Sequence, residues 1–309
     1  MAYLIAGATG NVGGAAARFL LEKKKAHVRC LVRDAKSEKA KELAALGAKL
    51  ISGSFEEPEL WAEEALDGGL RGALLVSNNS LEQVTLERSF IQALAGSNVY
   101  LLKVSTCSDY VTAESPIQYG ALQHQIEATL EATMGLQWTV LNPNIYMQNH
   151  LGDIFGTLPR KLLAYPRSKT ELSSGRASLV DTRDVGEIAA KFLLLDDPSL
   201  HHGKKYSVCG PKGWSVKDLA AAYETALNLP GDTIRCEADL SESAFANGLV
   251  ENAHFPQWLA VAVARSQVLF WASGKLEYPS SEAVLALHPT FRTFESWASE
   301  HAPMVKFLE

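Results

Sequence analysis

Short apolar, β-branched runs alternate with longer stretches of helical period over residues 1–150. Residues 3–6, 27–32, 49–52, 72–76, 100–105 and 138–141 predict strands, each a brief apolar run bounded by polar or glycine-bearing sequence. Residues 13–23, 38–46, 58–65, 82–95 and 119–134 lie between them and predict helices. The βα unit therefore repeats. Crossovers between parallel strands are right-handed almost without exception, so such units stack into a doubly wound sheet whose ligand crevice lies outside the carboxyl ends of the strands.

Past Asn149 the alternation weakens: Pro159 and Pro166 interrupt it, and the polar stretch 167–175 predicts a loop or short hairpin. Residues 185–195 predict a helix with Asp184 as its N-cap, a structural role. A strand at 205–209 and helical stretches at 215–227, 251–272 and 291–301 follow. The fold class implied is α/β, a doubly wound parallel sheet with a smaller carboxyl-terminal α+β lobe. The expected division is a first domain at 1–150 and a substrate lobe at 151–309, with 177–197 a candidate to return to the first domain. His254, Phe255, Trp258, Phe270 and Trp271 sit at helical spacing in the lobe and read as core.

Composition narrows the partners. The 309 residues are 47% apolar and 21% charged, ordinary values for a globular chain of about two domains. Lys and Arg number 29 against 35 Asp and Glu, a net charge of −6, which argues against nucleic acid as a partner. Lys23, Lys24 and Lys25, the one run of three adjacent cations, read as solvated surface. The longest apolar run, 259–264, is too short to span a bilayer, so no membrane partner is expected. The amino end turns from an apolar run straight into glycines with no basic segment before it, unlike a secretion signal. Cys30, Cys107, Cys209 and Cys236 lie far apart with no C-x-x-C pair, so reduced thiols, no metal site and a cytoplasmic location are expected.

The chemistry begins at Gly7-Ala-Thr9-Gly10-Asn11-Val12-Gly13-Gly14, which follows the first strand directly and opens the first helix. Glycines at this spacing turn the chain sharply, let backbone approach a pyrophosphate and let helix pack close to strand, while the helix N-terminus faces the anion. A dinucleotide site is the expectation. The second strand ends at Arg33, where an NAD-preferring site usually presents a carboxylate to the adenosine ribose. Arg33, with Lys36 close behind, suits a 2′-phosphate, so NADP(H) is expected and NAD(H) is less favoured; a surface pair between Arg33 and Asp34 is the competing reading.

The motif at 7–13, the run Val28-Arg-Cys-Leu-Val-Arg-Asp34 and the run Asn142-Pro-Asn-Ile-Tyr-Met-Gln-Asn149 resemble successive motifs of the NmrA-like branch of the atypical short-chain dehydrogenases/reductases. Tyr206-Ser-Val-Cys-Gly-Pro211 and Thr293-Phe-Glu-Ser-Trp297 extend the likeness to roughly the whole chain. The resemblance implies an NAD(P)-binding Rossmann domain and a small lobe that closes over the substrate. It places Ser54 where the family usually has an Asp reaching for adenine, and Pro143 and Asn144 where backbone lies along the nicotinamide. Ser77 and Asn78, past the fourth strand, complete the candidate cofactor residues.

By the same resemblance Ser105, Thr106, Ser108 and Tyr119-Gly-Ala-Leu-Gln123 stand at the superfamily's Ser and Tyr-x-x-x-Lys positions, with Gln123 in place of the Lys. Without that cation Tyr119 stays protonated near neutrality, which suits proton donation during reduction; a structural Tyr119 at a helix start is the competing reading. Lys103 shares a strand face with Ser105 and, if buried, puts positive charge near the reacting centre, unless its stem packs on the sheet with the amine at the rim. His124 faces elsewhere. Asn142 and Gln148 replace an Arg and an acid common in the family, leaving a less charged site. The expected function is an NADPH-dependent reductase of a small, conjugated or aromatic acceptor, quinone- or enone-like, with Tyr119, Lys103, Ser105 and Gln123 as its chemical residues. The alternative is a catalytically silent NADP(H)-binding redox sensor.

Overall fold

A computed structural model describes residues 2–308. Seven parallel strands form the central sheet: β1 (Ala2–Ala6), β2 (His27–Val32), β3 (Lys49–Ser52), β4 (Leu70–Leu75), β5 (Tyr100–Val104), β6 (Gln137–Pro143) and β8 (Lys204–Val208), while the short strand β7 (Leu162–Ala164) lies outside it. Their order is β3-β2-β1-β4-β5-β6-β8, which reverses direction between β1 and β4 and opens the ligand crevice there. β7 pairs in parallel with β9 (Arg235–Glu237) in a separate two-stranded sheet that the apolar pattern does not announce.

Both faces of the large sheet are apolar, as a parallel sheet covered on each side requires. One face, with Ile5, Cys30, Val32, Leu74, Leu102 and Leu141, is buried together with residues of α1 (Asn11–Arg18), α2 (Glu38–Ala45) and, from the second half of the chain, α8 (Thr182–Leu193). The other, with Leu4, Leu31, Leu75, Leu101 and Val140, meets α3 (Ala62–Leu66), α4 (Gln83–Leu94) and α5 (Gln118–Ala132). A third core gathers Tyr110, Tyr119, Met147, Trp214, Tyr223, Trp271, Phe294 and Trp297. It is built on α6 (Leu151–Gly156), α7 (Glu171–Ser174), α9 (Val216–Ala226), α10 (Glu242–Ala253), α11 (Gln257–Ser266) and α13 (Phe294–His301), while α12 (Glu282–Leu287) packs on α8 and β8. No helix among the described residues is long and apolar enough to cross a membrane.

Several elements differ from expectation. The helix expected at 58–65 splits into a 3-10 turn, Pro58–Leu60, and α3. The stretch 167–175 contains α7 rather than a hairpin, because Ser168 and Glu171 exchange side-chain to backbone bonds and start a helical turn. Asp184 is not the N-cap of α8. Asp181 is, accepting from Arg183 N, and Asp184 lies inside the first turn, buried against Arg292 and His288. The stretch 251–272 breaks at His254, which adopts a left-handed φ of 54°, with Pro256 two residues on. Trp271 is buried, Phe255, Trp258 and Phe270 are half-buried, and His254 is exposed.

Candidate active site

The glycine turn leaves β1 at the switch point. Gly7 has φ +83°, and a Cβ there would fall 2.1 Å from the carbonyl oxygen of Val76, at the end of β4. Gly10 N closes the turn on Gly7 O at 3.0 Å. A Cβ on Gly13 would lie 2.3 Å from Gly7 O, so only glycine lets the helix start this close to the strand. Gly10 is the N-cap of α1 and no side chain caps the first turn, which leaves the leading N–H groups of Asn11, Val12 and Gly13 to face an anion at the positive end of the helix. Thr9 is half-buried and Asn11 exposed at the rim, and Val12 is buried beneath them.

Next to this turn, Arg33 is exposed at the end of β2 and makes no ion pair among the described residues. The Asp34 carboxylate is turned the other way, accepting from Lys36 N at 2.8 Å, so the competing surface pair with Arg33 is not formed. Lys36 is exposed on the same loop. Ser54, past β3, and Ser80, past β4, each bury a hydroxyl oxygen with no hydrogen-bond partner among the described residues. Asn78 is exposed between them in the chain, and the Ser77 hydroxyl donates to Glu87 Oε1 at 2.6 Å. Uncapped helix N–H groups, an unpaired guanidinium and orphaned hydroxyls along one row of strand ends fit a phosphorylated dinucleotide.

The chemical candidates divide into separate neighbourhoods. Lys103 is fully buried, its ammonium 2.9 Å from Glu87 Oε2, and Glu87 also accepts from Gln83. The amine is thus neither free nor at the rim. The Ser105 hydroxyl donates to Glu127 Oε1 at 2.6 Å, and Gln123 Oε1 lies 3.3 Å from the same hydroxyl. Asn142 Nδ2 donates to Thr106 O at 3.0 Å, and Lys205 on β8 reaches Glu127 Oε2 at 2.7 Å. Burial alone would lower the Lys205 pKa; Glu127 and Glu131 outweigh it and raise it. Ser105 and Gln123 are therefore brought together, around a buried carboxylate the sequence reading missed. Glu127 and Glu87 occupy core-facing positions of their helices, where only the helical spacing, and not the residue type, marks them.

Tyr119 is placed apart from that network. Its ring meets Tyr110 edge-on at 5.8 Å between centroids, and it is buried at the start of α5. Burial drives its phenol well above the ordinary range, and a hydrogen bond with Ser266 only partly offsets that. Pro143 ends β6, and Asn144 after it is committed, its amide donating to Leu276 O at 2.9 Å and its carbonyl accepting from Ile145 N. Gln148 bridges Asp181 and Thr182 N at the start of α8. One residue unmarked by any motif reaches the same strand ends: Tyr278, whose Oη is 3.0 Å from Cys107 Sγ.

The family described as NmrA-like matches residues 2–298. The NAD(P)H azoreductase of Xenophilus azovorans is 30% identical over 234 residues, 74% of each chain. The structure of the quinone oxidoreductase QOR2 of Escherichia coli, complexed with NADPH, superposes with a TM-score of 0.79 at 22% identity, covering 97% of this chain and 99% of that one. The triphenylmethane reductase of Citrobacter sp., complexed with NADP(H), gives a TM-score of 0.77 at 18% identity over 98% of this chain and 100% of that one. The two structural likenesses concern the fold.

Proposed function

The chain belongs to the NmrA-like family, and on that premise we propose that it is an NADPH-dependent reductase of a small conjugated acceptor, quinone- or enone-like. The observation that carries the cofactor is the unpaired guanidinium of Arg33 beside the uncapped start of α1. The N–H groups of Asn11, Val12 and Gly13 hold the pyrophosphate, Arg33 and Lys36 hold the 2′-phosphate, and Ser54 and Asn78 line the adenosine side. Pro143 and Asn144 supply backbone along the nicotinamide side. The bound cofactor supplies a hydride. The acceptor class follows from a crevice poor in free charge, with Lys103 paired, Ser105 engaged and Gln123 in place of a lysine, and it agrees with relatives named for azo compounds, quinones and triphenylmethane dyes.

Titration with NADPH and NADH, followed by cofactor absorbance with a panel of quinones, enones and azo dyes, tests this reading. Loss of a charge-assisted contact costs about 1.5–3 kcal/mol, so Arg33→Ala should weaken NADPH roughly tenfold to a hundredfold while changing NADH little. Equal losses for the two would remove the 2′-phosphate assignment. Tight NADPH binding with no oxidation across the panel would favour the sensor, a reading supported by Gln123 at the lysine position and by the engaged Ser105 hydroxyl.

A further inference from the structure

Residues 276–281 run across the carboxyl ends of β6 and β8. Leu276 O accepts from Asn144 Nδ2 and from Ser178 N, both at 2.9 Å. Ser280 Oγ accepts from Cys209 N at 2.7 Å and donates to Cys209 O at 2.9 Å, and Ser281 N donates to Ser207 O at 3.0 Å. Between these anchors Tyr278 reaches sideways to the end of β5, where its Oη lies 3.0 Å from Cys107 Sγ. Tyr278 is thus held between anchors at the ends of β6 and β8 and reaches the segment that follows β5, the side of the crevice toward which a dinucleotide gripped at β1 and β2 must extend its reactive ring. Tyr278 is half-buried, whereas Tyr119 and Tyr110 are buried. The buried Cys107 thiol donates in turn to Asp109 Oδ2 at 3.5 Å, and Asp109 is exposed. Phenol, thiol and carboxylate form a chain that ends at solvent.

We infer that Tyr278 is the proton donor of the reduction and that Cys107 and Asp109 re-protonate it from solvent. The inference rests on the reductase reading. As the acceptor receives the hydride and its electron pair from NADPH, which is oxidised to NADP⁺, the Tyr278 O–H bond breaks and its proton goes to the acceptor oxygen or nitrogen that gains negative charge. The Cys107 S–H bond then returns a proton to the phenolate oxygen, and a solvent proton relayed by Asp109 restores the thiol. One hydride and one proton are consumed per turnover, and no further oxidant or reductant is needed. Burial holds both the phenol and the thiol protonated across the neutral range, so each is charged with a proton before the step and reclaims one readily after it.

Tyr278→Phe keeps the ring and removes only the hydroxyl. A general acid contributes about 10²–10⁴-fold, so kcat should fall at least a hundredfold with the Kd for NADPH unchanged; the parent should turn over more slowly in D2O, and that slowing should shrink in Tyr278→Phe. In protein labelled with ¹³Cζ-tyrosine and free of cofactor, Cys107→Ala should move the Tyr278 resonance, assigned as the one missing from Tyr278→Phe. Asp109→Asn should alter the pH profile of kcat and leave KM in place. Parental turnover by Tyr278→Phe, or a resonance indifferent to Cys107→Ala, would overturn the relay, and a collapse of turnover in Tyr119→Phe alone would assign the proton to Tyr119 instead. Failure of the reductase reading looks different: the parent itself would then bind NADPH without oxidising it, or not bind it.

Discussion

At the scale of single residues, the buried pair of Lys103 and Glu87 is the strongest electrostatic commitment on the α4 side of the sheet, with both side chains fully excluded from solvent. Neither charge has water to fall back on, so removing one strands the other. Lys103→Met should therefore cost about 3–5 kcal/mol of stability in urea unfolding, and Lys103→Met combined with Glu87→Leu should recover most of it. Equal losses in the single and double variants would mean that the pair does not hold Glu87 in place. The pair also steadies Ser77 and Gln83 through Glu87, which ties the loop after β4 to the carboxyl end of β5. Lys103 was visible in the sequence as an odd residue in an apolar strand. Its partner was not, since a glutamate at position 87 reads as a solvent-facing interruption unless the opposing cation is already known to lie beneath it. Arg33 was legible for the opposite reason: a strand end beside a glycine turn has one place to send its side chain, and the chain geometry is local.

At the scale of elements, what seats the glycine turn is the contact of α1 with α8. A Cβ on Gly186 would come within 2.6 Å of Ala15 Cβ and of Val12 O and within 2.8 Å of Ala16 N, the last two being backbone that cannot swing away. Gly186→Val should push the helices apart at a cost of about 1–3 kcal/mol and, because Val12 carries one of the N–H groups proposed to hold the pyrophosphate, should also weaken NADPH binding. Gly152→Ala, with open space around its Cβ, should change neither. Thermal unfolding with and without NADPH reads both effects, and a Gly186→Val protein of unaltered affinity would separate the α8 contact from the cofactor. The strands of the sheet were legible because each is a short apolar run, and six of the seven lie in a regular alternation. The cap of α8 was misread by three residues because Asp181 and Asp184 are equally good caps in isolation; only the burial of Asp184 against Arg292 decides between them. β7 and β9 have three residues each and pair across a long separation, so neither leaves a periodic signal.

At the scale of the whole molecule, the sheet is finished by chain that arrives late: β8 pairs with β6, and α8 closes over the face that α1 and α2 share. Three thiols are buried in these layers and at their edge, Cys30 in β2, Cys107 past β5 and Cys209 past β8, and burial pushes each up to about 12. The consequence for stability follows from the sign. Unfolded, these thiols release their protons near pH 8.5–9, whereas folded they hold them until about 12, so between those values the unfolded state binds fewer protons and the stability they contribute below pH 9 is lost as pH rises. Each group contributes a slope of about 1.4 kcal/mol per pH unit, and the three together about 4. Two pH units at that slope approach the entire stability of an ordinary domain. Urea unfolding between pH 8 and pH 11 should therefore show a steep alkaline fall, and Cys30→Ala, which removes a thiol from the sheet core without touching the crevice, should lessen the slope by about 1.4 kcal/mol per unit. A Cys30→Ala slope equal to the parent's would mean that Cys30 ionises inside the folded protein, and hence that water reaches the α1 face of the sheet.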